Sequence, residues 1–389
     1  MLRTYKYLLR PTSQQSQSLD FLLWQSRLVY NAALEQRITT YKEMGKGMGY
    51  AAQWRFFRDV RRANPETTGK LNASSLQHLL RRLDKAFLAF FRRVKAGEIP
   101  GFPRFKGRSR FKSIEFTYGD GCKLRPGQNG RMNFYIQNVG EMRLCYHRAI
   151  PKDALLKHVI VKQVNKRWYI CIMLEIESAR VQHIPTGKAV GIDLGLKSLV
   201  AVSSGEHAEN PRWLRTSLAK LRRLQRHASR QVRGSNRQQK SYARIARLSE
   251  RTVNQRADYL HKVSRRLVSE YDLIAMEDLP LDFMNRNPHL ALSSRDAGFG
   301  MLRQMIEYKA AEAGIQIIAV NPSYTTQRCS QCGCLVLKDL SVRVHDCPYC
   351  GLLLDRDINA ARNILQIALQ NPLGRSGQDQ TWAVAPSVF

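Results

Sequence analysis

The sequence predicts a multidomain α+β protein: an α/β core carrying a four-cysteine metal ribbon, together with a small β barrel into which a helical segment is inserted. Three observations predict it. Met132, Phe134 and Ile136, then Met142, Leu144 and Tyr146, then Trp168, Ile170, Ile172 and Leu174 alternate with period two, as half-buried strands do. Further on, three apolar segments each carry an acid, Asp193, Glu277 and Asp357, at positions where a buried carboxylate is costly unless something compensates it. Before the last of them stand Cys329-Ser-Gln-Cys332 and Cys347-Pro-Tyr-Cys350, fourteen residues apart, and two such short loops present four thiolates to one tetrahedral zinc ion.

Composition narrows the function. Lysine and arginine number 63 against 31 acids in 389 residues, a net charge of +32 and a pI near 10.3. A surplus of that size repels itself unless a polyanion neutralises it, and nucleic acid is the usual polyanion. No segment approaches the ~18 apolar residues of a membrane span. The start, Met-Leu-Arg-Thr-Tyr-Lys-Tyr-Leu-Leu-Arg-Pro, has charges where an export signal would be apolar. A cytoplasmic protein, nucleoid-associated when bound to DNA, is therefore expected, with its eight cysteines as thiols or metal ligands.

In chain order, residues 2–9 read as a strand, and Pro11-Thr-Ser13 opens a helix carrying Leu19, Leu22, Leu23, Trp24, Val29 and Leu34 on its apolar side. Basic amphipathic helices follow over about 50–62 and 74–91. The stretch Gly101-Phe-Pro-Arg104-Phe-Lys106-Gly-Arg-Ser-Arg-Phe-Lys alternates aromatic and basic residues. Either it stacks on bases and grips phosphates, or it is an edge with Phe102, Phe105 and Phe111 in the core. The period-two strands make a barrel-like domain over about 100–178 that can recruit the first strand. Residues 181–188 read as a linker.

Beyond it, Ala189-Val-Gly-Ile-Asp193-Leu-Gly195 is a strand with an acid inside it. Residues 215–251 hold twelve Lys/Arg and one acid, Glu250, on two long helices joined near Gly234. Arg222, Arg226 and Arg230 would there line a groove for phosphates. The strand Leu273-Ile-Ala-Met-Glu277 ends in a carboxylate, and Asp278 is a turn or cap residue. A helix over 301–313 stopped by Gly314 leads to a strand over 315–320. Asp357 is placed to cap a helix with Ile358, Ala361, Ile364 and Leu365 on its apolar face, and Asp355 competes with it only for the part of third acidic ligand. The polar tail from Asn371 is expected to be disordered.

Strand with Asp193, basic insertion, strand with Glu277, helix, strand, helix with Asp357: a ribonuclease H-like nuclease core requires this order. None of the three acids has a basic partner in its own motif, so their closing together calls for divalent cations, Mg²⁺ or Mn²⁺. Two such ions ~4 Å apart would clamp an in-line phosphodiester hydrolysis, with Asp193 bridging both, Glu277 on one and Asp357 on the other.

Gly-Ile-Asp193-Leu-Gly, Ala-Met-Glu277-Asp-Leu, the two cysteine loops and Asp355-Arg-Asp357-Ile-Asn-Ala-Ala-Arg-Asn, in this order, resemble the TnpB family, encoded by IS200/IS605-type transposons and ancestral to the type V CRISPR (Cas12) nucleases. The resemblance implies an RNA-guided DNA endonuclease that takes a transposon-derived guide RNA, recognises a short motif beside its double-stranded target and cuts both strands at one RuvC site. It implies a wedge β-barrel domain (1–10 and 98–180), a helical recognition domain (11–97), a linker (181–188) and a RuvC-like nuclease domain (189–328 and 351–370). The nuclease domain has a basic insertion over 213–270 and a zinc ribbon over 329–350, and a tail follows (371–389). Cys329, Cys332, Cys347 and Cys350 would hold a structural zinc, with Cys334 and His345 as alternatives. Cys122, Cys145 and Cys171 would be buried thiols. Tyr50 and Gln77 match positions that read the duplex beside the target, where Gln suits adenine and Tyr50 or Lys70 can reach phosphate or base, with packing or surface roles equally open. A monomer is the favoured form. Two other readings remain: a non-cleaving RNA-guided DNA-binding repressor, and an accessory transposase.

Overall fold

The computed structural model describes residues 2–176, 183–278, 284, 286–339 and 342–370. The expected tail (371–389) lies outside them, as do residues 181 and 182 of the expected linker. Two compact units form, Met1–Ala179 and Arg180–Phe389.

Unit one begins with β1 (Leu2–Arg10) and three helices, α1 (Ser13–Met44), α2 (Tyr50–Ala63) and α3 (Ala73–Lys95). The start of α1 is set by a capping box. The Thr12 hydroxyl accepts from the N–H of Gln15, and the Gln15 side chain accepts from the N–H of Thr12. Six strands follow: β2 (Ser113–Thr117), β3 (Cys122–Pro126), β4 (Met132–Ile136), β5 (Gly140–Cys145), β6 (Leu155–Val164) and β7 (Arg167–Glu175). They form one antiparallel sheet in the order β2-β6-β7-β1-β5-β4-β3, with the first strand recruited into its middle. The expected barrel is not closed by a ladder among the described residues: its edge strands β2 and β3, consecutive in sequence, are not paired with each other.

Helices and sheet share one core. Ile136, Met142, Ile170 and Ile172 of the sheet cluster with Leu19, Leu34, Leu76 and Leu83 of the helices. One apolar assignment is corrected, since Trp24 faces solvent; of the three phenylalanines in the aromatic–basic stretch, left open between core and stacking, only Phe111 is buried. Phe102 sits edge-on to Phe87 and Phe90 but remains half exposed, and Phe105 is exposed. That stretch is irregular chain between α3 and β2, where no ladder forces alternate side chains inward.

Unit two has β8 (Ala189–Asp193), β9 (Ser198–Val202), β10 (His207–Glu209), α4 (Trp213–Ser229), α5 (Asn236–Glu270), β11 (Leu273–Glu277), α6 (Ala291–Ala297), α7 (Phe299–Ala313), β12 (Gln316–Val320), β13 (Val344–Asp346), β14 (Leu353–Asp355) and α8 (Arg356–Gln370). A five-stranded sheet runs β10-β9-β8-β11-β12, with β8, β11 and β12 parallel and β9 and β10 antiparallel. Strand alternation gives it two apolar faces. Val190, Ile192, Ile274 and Met276 pack with α5 and α7, while Ala275, Ile318 and Val320 pack with Ile364 and Ala368 of α8. Of the expected linker, the N–H groups of Thr186 and Gly187 both donate to the Asp272 carboxylate, so this stretch is bonded into unit two. Among the described residues no helix is long and apolar enough to cross a membrane.

Candidate active site

Asp193 and Glu277 end adjacent parallel strands. β8 and β11 are paired through Ile192 and Met276, so the two acids that follow stand side by side at the carboxyl edge of the sheet, where open α/β sheets place their ligand sites. Gly191 and Asp193 share the face opposite Ile192, and α8 runs back along that face. Gly191 lies against Ala361 and Leu365, and Gly195 lies against Asp357. The approach of α8 thus brings the third acid to the first two.

The electrostatics register this convergence. Asp193 is buried, and its carboxyl is pushed up to about 8, first by burial, then by the charges of Glu277 and Asp357; Arg356 and the N–H of Leu194 pull the other way. Glu277 is also raised by burial, opposed by the Thr325 hydroxyl that donates to it. A buried acid that two other acids drive toward its protonated form is what a divalent cation relieves, and the oxygen donor set suits Mg²⁺ or Mn²⁺.

Two details correct the sequence reading. Asp357 does have a basic partner in its own motif: Arg356 Nη2 and Nε lie 3.2 and 3.3 Å from its Oδ1. The helix cap is Asp355, not Asp357. The Asp355 Oδ1 accepts from the N–H groups of Asp357 and Ile358 at 2.9 and 3.3 Å, the bonds an N-cap makes. Asp355 also lies 4.0 Å from Lys197 Nζ. With Asp355 holding the helix start, Asp357 enters the first turn with its side chain buried toward Asp193.

The four cysteines of the two loops gather. Their sulfurs all lie within 4.8 Å of one another, with Cys329–Cys350 and Cys332–Cys347 at 3.6 Å. Tetrahedral zinc with ~2.3 Å bonds needs sulfurs ~3.8 Å apart, so the set fits Zn²⁺. Both loops close the same way: Gly333 and Gly351, each at positive φ, donate their N–H to the carbonyls of Cys329 and Cys347. Burial pushes the Cys347 thiol up, but the N–H groups of Tyr349 and Cys350 and the neighbouring sulfurs outweigh it and bring it down to about 7. Cys334 is not one of the four, and the buried His345 faces Lys338 instead. In unit one, Cys122 is buried, and burial drives its thiol up to about 12; Cys145 and Cys171 are half-buried.

Three contributors escaped the sequence reading. Thr325 sits between strand and ribbon and orients Glu277. Asn359 accepts from the N–H of Ser330 and donates to the carbonyl of Arg328, and Asn363 donates to the carbonyls of Thr325 and Arg328. These asparagines, four residues apart on the buried face of α8, tie the first cysteine loop to the helix that carries Asp357. Polar residues at a helical repeat on an otherwise apolar face were the available signal.

The expected nucleic-acid contacts are dispersed. Arg222, Arg226 and Arg230 are exposed at four-residue spacing on α4 and at its end. Arg104 is exposed, while the main chain of Lys106 is bonded both ways to Asn31. Tyr50 lies under the Arg81 guanidinium, Lys70 pairs with Glu66 at 3.1 Å, and Gln77 is half-buried on α3.

The mixed α+β fold, with acids at its parallel strand ends and a four-cysteine cluster, is similar to that of the Cas12 proteins. The chain matches the Cas12f1 of a Cas12f1–sgRNA–target DNA complex with a TM-score of 0.59 at 17% identity, over 91% of this chain and 83% of that one. Three family models match: a helix-turn-helix domain of the IS605 OrfB type (residues 1–46), a "Probable transposase" of IS605 OrfB type (170–287) and a Cas12f1-like TNB domain (299–364). Two relatives from Streptomyces pristinaespiralis and Escherichia coli (strain K12), the latter InsQ, are each 32% identical. They cover 94% of this chain and 89% and 92% of their own lengths, and both are named "Putative RNA-guided DNA endonuclease". The chain belongs to the TnpB family.

Proposed function

We propose that this protein is an RNA-guided DNA endonuclease that hydrolyses both strands of a target at the Asp193, Glu277 and Asp357 cluster. The observation that carries the reading is Asp193: buried at a strand end and raised to about 8 by burial and by the other two acids, it has little purpose in an apolar core and a clear one as a cation ligand. The names of the relatives and the Cas12-like fold support the substrate class. In this reading the sheet of unit two, with its α5/α7 and α8 layers, is the RuvC-like domain (189–328 and 351–370), with 213–270 inserted and 329–350 as the ribbon. Residues 1–10 and 98–180 form the wedge and 11–97 the recognition domain.

The residues divide the work. Asp193, Glu277 and Asp357 would hold Mg²⁺, which supplies water activation and stabilisation of the leaving 3′ oxygen. Thr325 holds the Glu277 carboxylate, Asp355 fixes the helix start, and Arg356 covers Asp357 until a cation competes for it. Cys329, Cys332, Cys347 and Cys350 would hold Zn²⁺, which shapes the ribbon that Asn359 and Asn363 join to α8. Guide RNA and target DNA would neutralise the +32 surplus along Arg222, Arg226, Arg230, Arg104 and Lys106, with Tyr50, Lys70 and Gln77 near the target-adjacent motif.

The test is to express the chain with its flanking DNA, sequence the RNA that copurifies, and offer a plasmid bearing the matching target beside randomised flanks with Mg²⁺. Guide-dependent linear product supports the reading and reveals the flanking motif. Tight target binding without cutting replaces it with the repressor.

A further inference from the structure

Outside the acid cluster and the cysteine ribbon, unit one holds a third group of chemically matched side chains. His78 of α3, Glu115 of β2 and His158 of β6 each bring a ligand atom within 4.8 Å of the other two. The sheet places two of them. Thr117 pairs with His158 across β2 and β6, so Glu115, two residues back on the same face, is the diagonal neighbour of His158. A bulge lies just ahead of His158, between Leu156 and His158. From His158 onward β6 keeps one register with both β2 and β7, and the alternation that buries Val159 and Val161 turns His158 to the side of Glu115.

The third ligand is aimed by its own bonds. The His78 Nε2 lies 3.0 Å from the Thr117 hydroxyl, the outer partner that a metal-bound imidazole commonly has. Its Nδ1 is then directed at Glu115, 3.5 Å from Oε1, close to the ~3.4 Å that separates ligands of a tetrahedral ion with ~2.1 Å bonds. The two imidazoles meet edge to face with centroids 4.9 Å apart, and the Nδ1 of His158 is buried without a hydrogen-bond partner. Burial, opposed by Glu115 and reinforced by His158, Arg81 and Lys85, holds His78 toward its neutral, ligand-competent form.

We propose that His78, Glu115 and His158 form a second metal site, a two-histidine, one-carboxylate Zn²⁺ centre that fastens α3 to the β2–β6 edge of the sheet. Imidazole and carboxylate donors suit zinc, and a set of three leaves a fourth position for water. It is separate from the cysteine ribbon, which binds through thiolates in the other unit. It does not depend on the nuclease reading.

The experiment counts metal on the full-length protein, by mass spectrometry after equilibration with micromolar free Zn²⁺ and gel filtration. The expected result is two zinc ions per chain, falling to one in Glu115→Gln and in His158→Gln, and to one of the other kind in Cys347→Ser. With Co²⁺ as the probe, Cys347→Ser retains a weak visible band free of thiolate charge transfer, and Glu115→Gln retains only the thiolate spectrum. A single zinc in the wild type, or two that persist in folded Glu115→Gln and His158→Gln, overturns the proposal and leaves His78 bonded to Glu115 by a proton. A normal melting curve and retained ribbon zinc in the variants distinguish ligand loss from misfolding.

Discussion

Gly191 has its Cα against the main chain of Ala361, so close that a Cβ there would overlap the Ala361 carbonyl oxygen and stand 2.8 Å from the amide nitrogen of Leu365. From this contact the strand advances two residues, about 6.6 Å, to Asp193. The helix, running the other way, goes back four residues, about 6 Å, to Asp357. The matching steps set the two acids beside each other.

Gly191→Ala therefore forces α8 off the sheet. Its expected cost is about 3 kcal/mol, at the upper end of overpacking, and denaturant unfolding measures it. Under the proposed function, cutting falls with it even at temperatures where the variant remains folded.

Asp193 makes the cation-free protein sensitive to pH. Its folded value, about 8, lies above the ordinary 3.8, so between the two the native state keeps a proton that the unfolded chain releases. Stability from this group is complete below about pH 4 and is lost as pH rises through 8. In Mg²⁺-free buffer with zinc retained, Asp193→Asn should flatten the decline in Tm between pH 5.5 and 8.5 relative to wild type; parallel curves would show that Asp193 is not the titrating group. The same variant, like Asp193→Ala, is expected to bind guide and target and not cut.

Asp355 and Asp357 should separate cleanly. Asp355→Ala removes the helix cap and costs about 1 kcal/mol of stability, leaving part of the cutting activity. Asp357→Ala relieves repulsion of Asp193, so stability holds while cutting disappears. Exchanged phenotypes would exchange the two roles.

Under the proposed zinc site, Cys347→Ser or a strong chelator should lower the melting temperature, because apart from the cysteine cluster the ribbon has little regular structure among the described residues, a short β13–β14 pair and the bonds of its first loop to α8. The Asn359 and Asn363 bonds to Arg328 and Thr325 carry the damage to α8, so cutting is lost too. A zinc-free protein that melts at the native temperature would assign the ribbon no stabilising role.

Replacing Arg222, Arg226 and Arg230 together with Ala should weaken nucleic-acid binding uniformly across sequences. If each touches a phosphate, the slope of log affinity against log salt falls by about 1 per residue. An unchanged slope would place the duplex or guide elsewhere on the basic surface.

What could be read beforehand rests on local physics. Period-two alternation identified β4, β5 and β7 because each strand has one buried face, and the cysteine spacing identified the ribbon because knuckle geometry is local. The order of Asp193, Glu277 and Asp357 suggested a shared cleft, and the structure couples the three. The misreadings came from partners distant in sequence or from bonds that composition does not disclose. Asp357 looked like a cap, but Asp355 occupies that position. The roles of Phe102, Phe105 and Phe111 were open between core and stacking, and the structure buries Phe111 alone.

The sequence by itself determined most element types, the family, the four cysteines as a set and the large positive charge, since each depends on residue identity and spacing along one segment. The tertiary structure decided which acids meet, how the ribbon is tied to α8 and where the first strand pairs. It also brought His78, Glu115 and His158, spread over eighty residues and three elements, into one cluster. Those outcomes depend on chain crossings, on a glycine small enough to admit a helix and on the pairing of β2 with β6 beneath α3, and no local pattern encodes such coincidences in space.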